Sequence, residues 1–84
     1  MRLDKWLWHS RFFKCRSVAS KEVKNGTVRL NGDSVYKSST EVKKGDVLVF
    51  YRWDELKAIK VLELGNERGS PVEAQKLYFE LSII

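Results

Sequence analysis

RLDKWLWHSRFFKCRSVASKEVKNGTVRLNG, residues 2–32, is the stretch that decides the fold. Residues 3–13 carry helical spacing. Leu3, Leu7 and Ser10 fall at i, i+4 and i+7, and Trp8 and Phe12 form a second apolar pair. Asp4 lies in the first turn, where a carboxylate suits the positive end of a helix. Arg2, Lys5 and His9 occupy a different side, so this helix separates apolar stripes from a basic one. Lys14-Cys15-Arg16 reads as a tight connector. Ser17 reads as the N-cap of a second helix running to about Asn25. On it Ser17, Lys21 and Lys24 share one face, while Ala19 and Val23 turn toward the core. Gly26 suits the left-handed position that closes such a helix.

Downstream, the periodicity changes from helical to alternating. Thr27–Leu30 reads as a strand, Asn31-Gly32 is a type I′ hairpin turn, and Ser34–Tyr36 pairs back. Residues 37–46 are polar and end in a turn at Lys44-Gly45-Asp46. Val47–Tyr51 is apolar on both faces and reads as a central strand. A turn near Asp54-Glu55 leads to a last strand over 58–64. After a loop from Gly65 to Gly69, Ser70, Pro71 and Glu73 form a capping box with proline at the first helical position. Ala74, Leu77, Tyr78 and Leu81 then predict a C-terminal helix. The order ααββββα defines an α+β fold with a small, mostly antiparallel sheet.

Composition bounds the possibilities. The chain has 84 residues, enough for one small domain spanning 1–84. An apolar share of 43% is enough to fold. A single Cys excludes an intrachain disulfide, and one Cys with one His is too few for a zinc site. No apolar run approaches the roughly 20 residues of a membrane span. Asp4 and Lys5 interrupt what would be the apolar core of a signal peptide. A cytoplasmic location is expected.

The charge is concentrated. Residues 1–24 hold seven basic side chains (Arg2, Lys5, Arg11, Lys14, Arg16, Lys21, Lys24) against Asp4 and Glu22, a net +5. Residues 25–84 hold nine of each sign, so the whole excess lies in the first 24 residues. A balanced body with one basic segment is the footprint of a polyanion binder. If the two helices form a hairpin, Arg2 and Lys5 on the first, Lys14 and Arg16 in the connector, and Lys21 and Lys24 on the second converge. The start of the second helix, beside Ser17, adds backbone N–H groups and a positive dipole end. Arg11 and Arg16 can grip phosphate bidentately, whereas lysines act as point charges. Asn31 and Lys37 border the same surface. Contacts of this type position RNA and read its shape rather than its bases.

Other chemistry is poorly supported. Trp6, Trp8, Phe12 and Phe13 have the spacing of core residues, although exposed aromatics can stack on bases. His9 reads as a partly exposed helix residue. Cys15 has basic neighbours that lower a thiol pKa, but it has no His or Asp partner for catalysis. Asp54 and Glu55 read as solvated turn residues. No Gly-rich phosphate loop, triad or cofactor motif is present, so neither an enzyme nor a small-molecule substrate is expected. A basic face divided over two helices and a connector fits a membrane surface badly.

The run Arg2-Leu3-Asp4-Lys5, Arg11, Lys14, Arg16-Ser17, Ala19, Lys21, Gly26, Val28, Leu30-Asn31-Gly32, with Lys44-Gly45-Asp46, resembles the RNA-binding domain of small-subunit ribosomal protein S-four, the αL motif. The match covers about residues 2–50, with strands and a C-terminal helix over 51–84. Arg2 through Trp8, Arg11-Phe12, Lys14, Arg68-Gly69 and Glu73–Tyr78 resemble the ribosome-associated heat-shock protein 15 family more closely. That resemblance implies binding to ribosomal RNA on a free large ribosomal subunit still carrying peptidyl-tRNA, in rescue or quality control. A related branch helps elongate carboxy-terminal tails on stalled chains. Family members often carry a long basic C-terminal extension that does not follow Ile84. Any ribosome affinity it supplies is expected to be missing. The domain is expected to act as a monomer without cofactor or metal. The alternatives are an RNA-binding accessory of a modifying enzyme, or a module for an anionic surface or a protein.

Overall fold

The computed structural model describes residues 1–81. Helix α1 spans Leu3–His9 and α2 spans Arg16–Lys24. Strands β1 (Val28–Leu30), β2 (Asp33–Val35), β3 (Val47–Arg52) and β4 (Glu55–Val61) follow. A one-turn helix α3 (Pro71–Ala74) runs through a 3-10 turn (Gln75–Leu77) into strand β5 (Tyr78–Glu80). The sheet order is β2-β1-β3-β4-β5, and every pairing is antiparallel. The α+β class and the central place of β3 follow the sequence reading.

The core forms where the helical hairpin meets one face of the sheet. Leu3, Trp6 and Leu7 of α1 and Ala19 and Val23 of α2 share a buried cluster with Leu48, Phe50, Ile59 and Val61. Trp6 is anchored at its polar end as well, since its Nε1 donates to the Glu63 carbonyl at 2.9 Å.

Four expectations need correction. Helix α1 ends at His9 rather than residue 13. Ser10 is its C-cap, and Arg11 takes φ 64°, which a helix cannot continue through. The break lets the consecutive rings of Phe12 and Phe13 both pack near Phe50, with centroids 5.0 and 6.2 Å away. The connector is therefore residues 10–15, not a tight Lys14–Arg16 turn. Second, the cap of α2 is Cys15, with extended backbone at φ −141°, and Ser17 lies inside the helix. Third, the turn between β3 and β4 is Trp53-Asp54, both at positive φ (52° and 59°), so β4 begins at Glu55 and ends at Val61.

The fourth correction is the largest. The Ser70 half of the capping box forms, with Glu73 N–H donating to Ser70 Oγ at 3.2 Å and Pro71 in the first turn, while the Glu73 carboxylate meets the Ser70 hydroxyl at 3.4 Å rather than its backbone N–H. The helix does not continue through Leu77, Tyr78 and Leu81. Tyr78–Glu80 instead pairs with β4, Val61 opposite Tyr78. Strand pairing satisfies backbone groups along β4 that a helix would leave open, and it places Tyr78 against Phe12 at 4.5 Å. The β-forming pair Tyr78-Phe79 outweighs the apolar spacing.

Candidate nucleic-acid interface

The site is organised by a buried carboxylate. Asp4, in the first turn of α1, is only 4% exposed at its side chain. Its Oδ1 accepts the Lys5 backbone N–H at 2.8 Å. Arg2 donates to it twice, through Nε at 3.1 Å and Nη2 at 3.2 Å. Arg16, from the first turn of α2, brings its Nε to 3.7 Å from Oδ2. One carboxylate thus holds Arg2 by two hydrogen bonds and draws in Arg16, from a separate element, as an ion pair. Both arginines stay half exposed, at 50% and 43%. Two positive charges against one negative leave the cluster cationic.

The turn after β2 closes the same corner. Leu3 N–H donates to the Thr40 carbonyl at 2.8 Å, and Asp4 N–H to the Ser38 carbonyl at 3.2 Å. These are helix N-terminal groups that need outside acceptors. Arg2 Nη2 also reaches Ser38 Oγ at 3.4 Å. Lys37, exposed beside Ser38, is held there because its carbonyl accepts Thr40 Oγ1 at 2.6 Å.

Two titrating groups report the local field. His9 is buried, not partly exposed as its helical position suggests. Its long-range partner is the Leu64 carbonyl, 3.4 Å from Nδ1. Burial holds its pKa below the ordinary histidine value, opposed by the Leu64 contact, with Lys5 and Arg16 pressing it lower. The imidazole is therefore neutral at pH 7 and adds no charge to the site. The Cys15 thiol is also lowered, first by the Ser17 hydroxyl, then by the Val18 N–H, with Lys14 and Arg68 contributing.

Of the ten residues that the sequence points to, Arg2, Lys5, Lys14, Arg16 and Lys37 fall around Asp4 and the connector. Ser17, Lys21 and Lys24 line the exposed face of α2, opposite buried Ala19 and Val23. Arg11 and Asn31 are occupied elsewhere. Arg11 Nε donates to the Gly69 carbonyl at 2.7 Å, pinning the loop before α3. Asn31 joins the β1–β2 turn to β3, its Nδ2 3.1 Å from Asp46 and its Oδ1 accepting Val47 N–H at 2.8 Å. Arg68 reaches the connector, where it acts on Cys15 together with Lys14, and sequence reasoning misses it as a site residue. Its guanidinium lies 5.4 Å above the ring of Trp8, and its Nε donates to the Trp8 carbonyl at 3.1 Å. Trp8 is accordingly half-buried under a cation, rather than core like Trp6. The Arg68-Gly69 dipeptide is visible, but nothing local shows that a residue 60 positions from Trp8 returns to it.

An α-hairpin with a cationic corner, leading into an Asn-Gly hairpin and a small antiparallel sheet, defines the S4-domain class. The S4 domain family model matches residues 1–48. The chain belongs to the S4-domain family and, within it, to the heat shock protein 15 group. It is 41% identical to the heat shock protein 15 homolog of Haemophilus influenzae over 95% of this chain and 60% of that protein. It is 36% identical to the RQC P-site tRNA stabilizing factor of Bacillus subtilis, over 93% of this chain and 88% of the relative. Heat shock protein 15 of Vibrio cholerae, whose solved structure is trimeric, superposes with a TM-score of 0.92 at 38% identity, covering 98% of this chain and 82% of that one. The chain spans about three fifths of the length of its heat shock protein 15 relatives.

Proposed function

We propose that this protein is a non-enzymatic RNA-binding factor of the ribosome. It acts in the cytoplasm as a single chain, on large ribosomal subunits that carry stalled peptidyl-tRNA. The observation that carries the reading is the pairing of Arg2 and Arg16 on buried Asp4. It gathers two guanidinium groups on one carboxylate before any ligand arrives, Arg2 by hydrogen bonds and Arg16 by an ion pair, which lowers the side-chain freedom lost on binding. Lys5 follows Asp4 on α1, Lys37 adjoins Ser38, Lys14 and Arg68 lie near Cys15, and Lys21 and Lys24 are exposed along α2. Phosphate oxygens would meet the arginines in forked geometry and the lysines as point charges. The start of α2 supplies further N–H donors. This is a surface for RNA backbone and shape.

The names of the relatives support the cellular part of the reading: a heat shock protein and a factor that stabilizes P-site tRNA. Sucrose-gradient fractionation of a cell extract tests it. The protein should migrate with free large subunits and shift to the top of the gradient when Arg2 and Arg16 are both changed to alanine. Migration of the wild-type chain with small subunits or free protein would refute the assignment.

A further inference from the structure

β3 is apolar on both faces, and the helices cover only one. Leu48 and Phe50 join the buried cluster beneath α1 and α2. Val49 and Tyr51 alternate to the other side, in register with Ala58 and Leu56 of β4. Phe79 of β5 reaches the same side opposite Lys60, and Arg29 of β1 reaches it opposite Val49. Tyr51 is 68% exposed, Phe79 58% and Leu56 44%.

The sheet also sorts its charges. The strand carboxylates Asp33, Glu55 and Glu80 lie in register with Leu30, Arg52 and Ile59, on the helix side. Lys57, on that side too, is neutralised by Glu80 at 2.9 Å and Glu55 at 3.0 Å. On the open side, the charged strand residues are Arg29 and Lys60. Both are exposed, and among the described residues neither forms an ion pair. Tyr51 and Phe79 stand two strands and four residues apart, roughly 16 Å on ideal sheet spacings, with Leu56 and Ala58 between them.

Exposed aromatics spread over an uncharged floor, with cations and no strand carboxylate, suit unpaired nucleotides. Bases stack on the rings, and phosphates meet the cations. A second copy docked face to face would find no strand carboxylate to pair with Arg29 or Lys60, which disfavours self-association there. We propose that the open face of the sheet is a second RNA site, taking an unpaired RNA segment. The proposal rests on the RNA-binding reading above and adds a binding surface remote from Asp4.

The test uses the full chain, an eight-nucleotide oligouridylate, and an RNA stem with and without an unpaired tail. In amide-resolved NMR, the oligouridylate should move the signals of Tyr51, Leu56, Lys60 and Phe79. A Tyr51→Ser/Phe79→Ser double variant, whose fold is checked by its unchanged core signals, should lose about tenfold in affinity for the tailed stem. Its affinity for the bare stem should stay within twofold of wild type. The milder pair Lys60→Gln and Arg29→Gln should lower the salt dependence of oligouridylate binding. Shifts confined to α1 and α2, or an unchanged preference for the tail in the double variant, would overturn the proposal. Sheet-face shifts that follow protein concentration without RNA would overturn it in favour of a second copy. A chain that ignores both stems but still binds oligouridylate at the sheet would refute the Asp4-centred site and support this one.

Discussion

Asp4 shows how a single side chain can be legible in type and hidden in role. Its place in the first turn of α1 fits a helix-dipole reading, which accounts for a carboxylate there. Its pairing with Arg16 depends on the hairpin closing, and no local pattern reveals that. Asp4→Asn keeps the shape and removes the charge that both arginines share. It should cost about 2 kcal/mol of stability, the scale of buried hydrogen bonds to charged groups. RNA affinity should fall in parallel although net charge rises, because the arginines are no longer held in fixed positions. Chemical denaturation and a binding titration on one preparation check both effects. His9 is hard to read for a similar reason: its partner Leu64 is 55 residues away. Its pKa is lowered in the folded chain and ordinary in the unfolded one, so below about pH 6.5 the unfolded state holds more protons. Stability should therefore be complete above that pH and decline as pH falls from about 6.5 toward the lower folded-state pKa. The melting temperature should drop over that interval in the wild-type chain and much less in His9→Gln. A flat profile in the wild type would show that His9 is not buried neutral.

Among the elements, those marked by turn chemistry are the readable ones. Asn31-Gly32 adopts positive φ at both residues, 51° and 90°, as its type I′ reading requires. Gly26 sits at φ 77° after α2, and a Cβ there would also come within 2.4 Å of the Tyr36 ring. Gly26→Ala should cost about 1–2 kcal/mol through the left-handed conformation alone, measurable by urea unfolding. The Trp53-Asp54 turn has the same backbone signs without the signature residues, so sequence alone puts it one residue late. Asp54→Gly should relieve that conformation and stabilise the chain by about 0.5 kcal/mol, read in the same urea experiment. Elements settled by distant pairing are less readable. β5 exists because β4 has an edge to fill, and α1 stops early because two adjacent phenylalanines share one core. Neither cause lies within the window over which periodicity is read.

At the scale of the whole molecule, sequence position carries much of the information. All the net charge lies in residues 1–24, and the fold pairs Arg2 and Arg16 from that segment on Asp4 while Lys21 and Lys24 stay on the exposed face of α2. A linear charge count misses the return of Arg68 to Trp8 and the connector and the withdrawal of Arg11 and Asn31 into structural bonds. It also misses that the sheet sorts the zero-charge remainder into a helix side rich in carboxylates and an open side without strand carboxylates. The central claim is that a preformed cationic cluster at the helical hairpin holds RNA backbone. The most direct test is the dependence of RNA affinity on salt for the wild-type chain and for the Arg16→Ala/Lys21→Ala variant. Log affinity should fall linearly with log salt, and the variant should bind more weakly on every sequence tried, with a slope shallower by about 0.7–0.9 for each phosphate that is no longer neutralised. Equal affinities and equal slopes for the two proteins would contradict the account.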